Sequence, residues 1–285
     1  MFVNRYLTLI LHSLKALKFR IMKNILVPVG SSKNSESNLQ YAIDLASEIG
    51  ANVYVISVFQ ELSKVGGLSK VNTILKEESE NRLDEVLSLV DKKEVQVIAH
   101  PIKGEVLEGI ARISKQVPID LMVLAPRSNS IKEEVYLGKT SGKLLKQTNI
   151  PILVVPEGAK FQPPKTMLMA FKNGSFERDE LLEPVRQFKE SFGTEINVLH
   201  VETPETSEDM KNVTDNLKVL QDSYTQVETA TTFQAVIEYF QQFNPDVLCV
   251  IRRKRGFFKK LWEKNEIYKR EFHTSKPLLV LPVQE

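Results

Sequence analysis

The sequence is poor in the residues that build metal centres and disulfide frameworks. It has one cysteine, Cys249, so neither an internal disulfide nor a cysteine-based zinc site can be assembled. Cys249 stands in the apolar run Val247 to Ile251, where it reads as a buried structural thiol, not a nucleophile. The four histidines, His12, His100, His200 and His273, show no ligand spacing, and no metal is expected. Charge of one sign is also lacking. The formal balance is +2, so no global field demands nucleic acid or an acidic partner. The apolar run Leu7 to Leu11 is too short to span a bilayer, and no small-residue cleavage site follows it to make it a secretory signal.

Residues 1–21 are expected to be a tail. Leu7, Ile10, Leu11, Leu14 and Leu17 would share one helical face, with Arg5, Lys15, Lys18 and Arg20 making the rest basic. That pattern could suit a membrane surface. The plainer expectation takes Met22, where "MKNILVPV" opens a clean strand, as the start of translation. In bulk, 285 residues with 42% hydrophobic and 26% charged suffice for a real core in one large domain or two ordinary ones.

What the chain does have is a repeat. "KNILVPVGSSKNSESNLQYAIDLASEIGANVYVISV" (23–58) and "KTMLMAFKNGSFERDELLEPVRQFKESFGTEINVLHV" (165–201) each give Lys, an apolar strand, a polar loop, a helix, Gly and a second strand. "IDLMVLAPR" (119–127) then matches "PDVLCVIRR" (245–253), and "IPILVVPEG" (150–158) matches "KPLLVLPVQ" (276–284). Asp120 thereby pairs with Asp246, and Pro151 with Pro277. The expected units are 22–157 and 165–285, joined by a Pro/Gly-rich linker at 158–164.

In the first unit strands fall near 24–29, 52–59, 94–99, 120–125 and 151–155, with helices near 34–49, 68–91, 104–116 and 139–147. Leu39, Ala42, Ile43, Leu45, Ala46 and Ile49 line one side of the first helix, and Gly50 stops it. Pro184 should kink or shorten the corresponding helix of the second unit. The strands are Val/Ile/Leu-rich and do not alternate, as buried parallel strands read. Strand–helix alternation then implies an α/β fold: two tandem doubly wound domains. Ligands bind such sheets at the carboxyl ends of the strands. Two loops matter there, Gly30 to Asn34 and Ala125 to Gly138, since both can offer N–H groups to an anion.

On these residues the chain resembles the universal stress protein family in its tandem two-domain form, over about 22–284. The resemblance implies a five-stranded parallel sheet per domain, order 3-2-1-4-5, and pseudo-twofold pairing of the halves. It also implies cytoplasmic location and a stress-response role. Many members bind ATP through G-x2-G-x9-G followed by hydroxyl residues. Here Ala125-x2-Ser128-x9-Gly138 keeps that spacing and one of the three glycines. Lys139 stands where the family has a phosphate-contacting Ser, and Thr140 and Ser141 keep hydroxyls. Gly30 replaces an Asp that helps hold adenine.

The resemblance thus implies a weakened ATP site in the first unit, with Pro28, Gly30 and Val58 toward the base. Ala125, Arg127, Gly138, Lys139, Thr140 and Ser141 would face the phosphates. No catalytic residue is assigned. A binding and regulatory protein is expected; the alternatives are a slow ATPase using that site and a pure interaction protein with both pockets vestigial.

Rival motifs fail on spacing. "GKTS" (138–141) is not a phosphate loop of the G-x-x-x-x-G-K-[ST] kind, because Glu133 occupies the first glycine position. Neither G-x-G-x-x-G nor S-G-G-x-D-S follows the first strand. In the second unit both early glycines are gone, and residues 252–270 carry nine Lys/Arg against Glu263 and Glu266. That run reads as a solvated segment, as an anionic-partner surface, or as a contact built on Arg253, Arg255, Phe257, Phe258 and Trp262. Partners are otherwise unnamed. No specific nucleic acid is expected, further dimerisation is left open, and membrane contact would fall on 1–21 or 252–270.

Overall fold

A computed structural model of the chain describes residues 22–30, 34–60, 69–126, 135–172, 179–204, 206–207, 213–252, 267–268 and 275–282. The first half runs β1 (Asn24–Val29), α1 (Ser35–Ile49), β2 (Asn52–Phe59), α2 (Ser69–Ser88), β3 (Val97–Lys103), α3 (Val106–Gln116), β4 (Leu121–Leu124), β5 (Val135–Leu137), α4 (Lys139–Gln147) and β6 (Ile152–Val154). The second half runs β7 (Thr166–Phe171), a 3-10 turn at Asp179–Leu182, α5 (Glu183–Phe192), β8 (Glu195–Glu202), α6 (Asp215–Leu220), β9 (Ser223–Glu228), α7 (Thr232–Phe243), β10 (Val247–Arg252), β11 (Ile267–Tyr268) and β12 (Leu278–Pro282).

Ten strands form one sheet in the order β3-β2-β1-β4-β6-β12-β10-β7-β8-β9. Each half therefore contributes the expected 3-2-1-4-5 order, all parallel, and the two fifth strands meet antiparallel at the centre, Val154 opposite Leu278 and Ile152 opposite Val280. That edge pairing satisfies backbone groups that two separate sheets would leave open. It also makes the apolar layer on each face continuous across the halves: one holds Ile25, Val27 and Val123 with Met167, Met169 and Cys249, the other Leu26, Met122 and Leu124 with Leu168, Leu248 and Val250. Phe161, in the linking stretch, is edge-on to Tyr41 at 5.4 Å and 5.8 Å from Phe192, so one ring seals both halves.

Local signals place most helix ends. Gly50 and Gly193 adopt positive φ, +68° and +66°, and close α1 and α5 with N–H bonds to Ala46 and Lys189 carbonyls. Pro184 lies at the start of α5 after the 3-10 turn, where its missing N–H costs nothing. β3 begins at Val97, not near residue 94, because its ladder to β2 spans Val53–Phe59 opposite Val97–Lys103. α3 starts at Val106, just past Gly104 with φ +102°. The halves differ most where α2 covers β2 and β3: its twenty residues correspond to only six in α6. The tail 1–21 lies outside the described residues.

Candidate functional site

The carboxyl ends of β1, β2 and β4 lie side by side. Register sets Val29 beside Ser57, and Leu26 beside Met122, so Gly30, Val58 and the Ala125–Pro126 step reach the same edge of the sheet. Leu26, Ile56, Val58, Met122 and Leu124 belong to the face on which Leu144 and Leu145 of α4 pack. By strand alternation Pro28 shares that face with Leu26. β6 runs parallel to β4, and α4 ends shortly before it. The amino end of α4 is therefore directed to the ligand edge. A polar chain supports this placement: Gln60 donates to Glu105 at 2.5 Å, and Lys143 of α4 lies 3.7 Å from the same carboxylate.

Gly138 caps α4 in an extended conformation, φ −67° and ψ 173°, with no side-chain hydrogen bond to the turn. The first N–H groups of a helix have no intrahelical partner, and Gly138 has no side chain with which to cap them. No acidic residue occupies the first turn. Thr140 is exposed and Ser141 half-buried. The structure thus offers an anion the partial positive charge of a helix start with hydroxyls beside it. Among the described residues only Lys93 and Asn244 have positive φ without being glycine. Ala125 therefore stands in a conformation alanine adopts without strain.

Sequence reasoning missed the floor of this edge. Asn34 is buried and its amide reaches the Pro126 carbonyl at 3.4 Å; Ser35 donates to the Gly30 carbonyl at 3.1 Å. Asn38, also buried, donates to Val123 at 3.4 Å, while its Oδ1 has no hydrogen-bond partner among the described residues. Three polar residues at the head of α1 therefore tie both ligand loops to one helix. Their spacing, Asn34 and Asn38 one helical turn apart, was the available signal. A groove of about 320 Å³ opens at the end of β2 on the α2 side, lined by Phe59, Val71, Leu75, Glu78, Ser79 and Arg82, with Val58 at its border.

The second half differs at the same place. Ile251 and Arg252, equivalent to Ala125 and Pro126, continue the strand, paired with Leu281 and Pro282, and both are buried. Arg252 sends its guanidinium into the first half, donating to the carbonyls of Leu145 (2.5 Å) and Thr148. On β8, His200 is fully buried between Tyr224, 2.7 Å from Nδ1, and the Lys172 carbonyl, 3.2 Å from Nε2. A carbonyl only accepts, so Nε2 donates a proton to it, and Nδ1 shares a hydrogen bond with the Tyr224 hydroxyl. Nearby, Glu202, Thr203, Thr206, Glu228 and Thr229 line a groove of about 450 Å³. Cys249 is wholly buried and burial pushes its thiol up, which keeps it protonated and inert.

Of the residues expected at the site, Pro28, Gly30, Val58 and Ala125 converge on one sheet edge, and Gly138, Thr140 and Ser141 lie at the helix start directed to it. Lys139 opens α4, but its side chain lies outside the described residues, as does Arg127. So do Arg253, Arg255, Phe257, Phe258 and Trp262. Two features revise the reading of the long loop between Ala125 and Gly138: its last residues form β5, and β5 pairs with β11 of the second half. Among the described residues no group of three His, Cys, Asp or Glu side chains could hold a metal, and no helix is long and apolar enough to cross a membrane.

Comparison with known proteins agrees with this geometry. The sequence profile of the Universal stress protein family matches residues 22–156. Universal stress protein MJ0531 of Methanocaldococcus jannaschii is 26% identical over 145 residues, covering 49% of this chain and 85% of its own length. A second universal stress protein of that organism is 23% identical over 157 residues, 47% of this chain and 94% of its own. Among solved structures, a universal stress protein of Archaeoglobus fulgidus superposes with a TM-score of 0.67 at 18% identity, over 92% of this chain and 98% of its own. A protein of unknown function from Pseudomonas aeruginosa superposes with a TM-score of 0.57 at 12% identity, over 92% of each chain. The last two show a shared fold across both halves, whereas the sequence match lies in the first. Residues 22–156 thus match the universal stress protein family, and the chain as a whole shares the fold of the Archaeoglobus fulgidus universal stress protein.

Proposed function

We propose that this chain is a cytoplasmic, non-catalytic regulatory protein of the stress response that binds a nucleoside phosphate of the ATP class in its first half only. The observation that carries the reading is the amino end of α4, begun by a glycine without a capping side chain and directed to the sheet edge where Pro28, Gly30 and Val58 meet. The base would rest on the Pro28–Gly30 backbone and Val58. The phosphates would take the N–H groups of Lys139, Thr140 and Ser141 and the two hydroxyls. Gly30 lacks the carboxylate by which family members hold adenine, so affinity for the base is expected to be weak. In the second half Ile251 and Arg252 stand in place of Ala125 and Pro126, and Arg252 is engaged by carbonyls of the first half, which supports a single site per chain.

The test is calorimetric titration of ATP into the wild type and Gly138→Asp, followed by a phosphate-release assay. Gly138 has an ordinary φ, so aspartate brings no backbone strain there, and as an N-cap it would stabilise α4 by about a few tenths of a kcal/mol over glycine while occupying its donors and repelling phosphate. Lost binding together with an equal or higher melting temperature is the expected result. Lack of binding by the wild type at millimolar ATP would overturn the reading. Phosphate release that depends on Gly138 would replace it with the slow ATPase.

A further inference from the structure

The turn at Gly138 is held on both sides by the other half of the chain. On its amino side, β5 pairs antiparallel with β11, Val135 opposite Tyr268 and Leu137 opposite Ile267. Leu137, next to the turn, is fully buried. On its carboxyl side, Arg252 closes the far end of α4 through the carbonyls of Leu145 and Thr148. A guanidinium there meets carbonyls left over at a helix end and the negative pole of the helix, and hydrogen bonds from a charged donor are the strong kind. Burial draws the Arg252 guanidinium down to about 10, which leaves it charged at neutral pH. α4 has nine residues, fewer than a helix needs to stand alone in water, so its order rests on these contacts together with the packing of Leu144 and Leu145. Arg252 occupies the position at which the first half has Pro126. The second half has put a clamp on its neighbour where the family pattern would place its own ligand loop.

We propose that the second half is the built-in support of the first half's anion site: Arg252 and β11 hold the two flanks of the Gly138 turn, so that closing the turn on a phosphate and docking the two halves are one coupled equilibrium. The ligand part of this rests on the nucleotide reading above; the clamp itself does not. Coupling is reciprocal, so a ligand that needs an ordered α4 also tightens the contact between halves. Arg252 is a positioning residue, placed at the opposite end of α4 from the phosphate.

The experiment compares wild type, Arg252→Met and Arg252→Lys by hydrogen exchange in the ligand-free chain and by ATP titration. Arg252→Met keeps the bulk and removes both bonds. Faster exchange confined to α4 and the Gly138 turn is expected, with ATP bound roughly fivefold or more weakly, the low end of ordinary coupling. Arg252→Lys, which keeps the charge without the fork, should recover part of both effects and serves in place of the methionine variant if that one fails to fold. Unchanged exchange in α4, or exchange raised evenly over the whole chain, overturns the proposal. If the wild type binds no ATP, the nucleotide reading falls and the clamp is judged on exchange: faster exchange confined to α4 upholds it, and the other two patterns sink it.

Discussion

Asp120 and Asp246 do the same thing in the two halves. Each Oδ2 accepts the N–H groups of the two residues that lead into the first strand of its half: Lys23 and Asn24 at 2.8 and 3.1 Å, Lys165 and Thr166 at 2.8 and 3.1 Å. The carboxylate stands just before the fourth strand and fixes the start of the first, so it sets the register of the two strands that flank the ligand edge. Removing one carboxylate leaves two strand-end donors without a partner. Both sites are partly exposed, and water replaces part of what is lost. Asp120→Ala and Asp246→Ala should therefore each cost about 1–2 kcal/mol, measured by urea unfolding. A cost at one site and none at the other would contradict the equivalence.

Gly30 marks where the family's adenine-holding carboxylate is missing. A Cβ built there meets nothing within 4 Å, and the residue does not have positive φ. Gly30→Asp should fold normally and bind ATP several-fold more tightly than the wild type, since one added charge-assisted hydrogen bond contributes about 1 kcal/mol or more. Calorimetry decides. Equal affinities would mean that the base does not lie over Gly30.

Gly109 sits in α3 with its Cα against β3. A Cβ there would come within 2.5 Å of Ile102 Cγ2. Replacing a helical glycine with alanine ordinarily gains about 1 kcal/mol; here the clash should reverse the sign and leave Gly109→Ala about 1–2 kcal/mol less stable. The pair Gly109→Ala with Ile102→Ala should cost less than the sum of the single changes, because the second removes the atom in conflict. A more stable Gly109→Ala protein would refute the contact.

Asp222 supplies a pH dependence. Partial burial pushes its carboxyl up, but the Ile196 N–H at 2.8 Å and the Lys189 ammonium at 2.7 Å outweigh burial and hold it below the usual carboxylate range. The folded state therefore favours the ionised form. The stability contributed is fully present above about pH 4, the unfolded carboxylate value, and is lost as pH falls through the lower folded one. The Asp222→Asn protein should lose less stability than the wild type on acidification from pH 5 to 2. Parallel stability curves would show that the Asp222 interaction does not matter.

Some of this could be read from local pattern. Gly50 and Gly193 follow helices whose apolar side is plain in sequence, and both are helix stops with positive φ. Pro184 starts α5 as its missing donor requires. α4 spans the residues expected, and Asp120 and Asp246 matched in register before any contact was known. Other features have no local signature. β3 moved because its ladder with β2, not its own apolar residues, decides where it begins. Asn34 and Asn38 look like ordinary polar residues at the start of a helix until β4 is brought beside them. His200 sits in a strand pattern like any other residue, and only the fold brings the Lys172 carbonyl and Tyr224 to its ring nitrogens.

The sequence by itself determined the repeat, the strand–helix alternation, the 3-2-1-4-5 order that the resemblance implies, and the surviving glycine at the start of α4. Those depend on periodicity, turn residues and matching offsets, which act over short stretches of chain. Only the tertiary structure decided that β6 and β12 pair edge to edge into one sheet, that Ile251 is buried beside Leu281, and that Arg252 leaves a run of basic residues to cap α4 of the other half. An edge strand has no pattern that names its partner, and a buried arginine has the same letter as a solvated one. What separates them is which distant carbonyls the fold brings within reach.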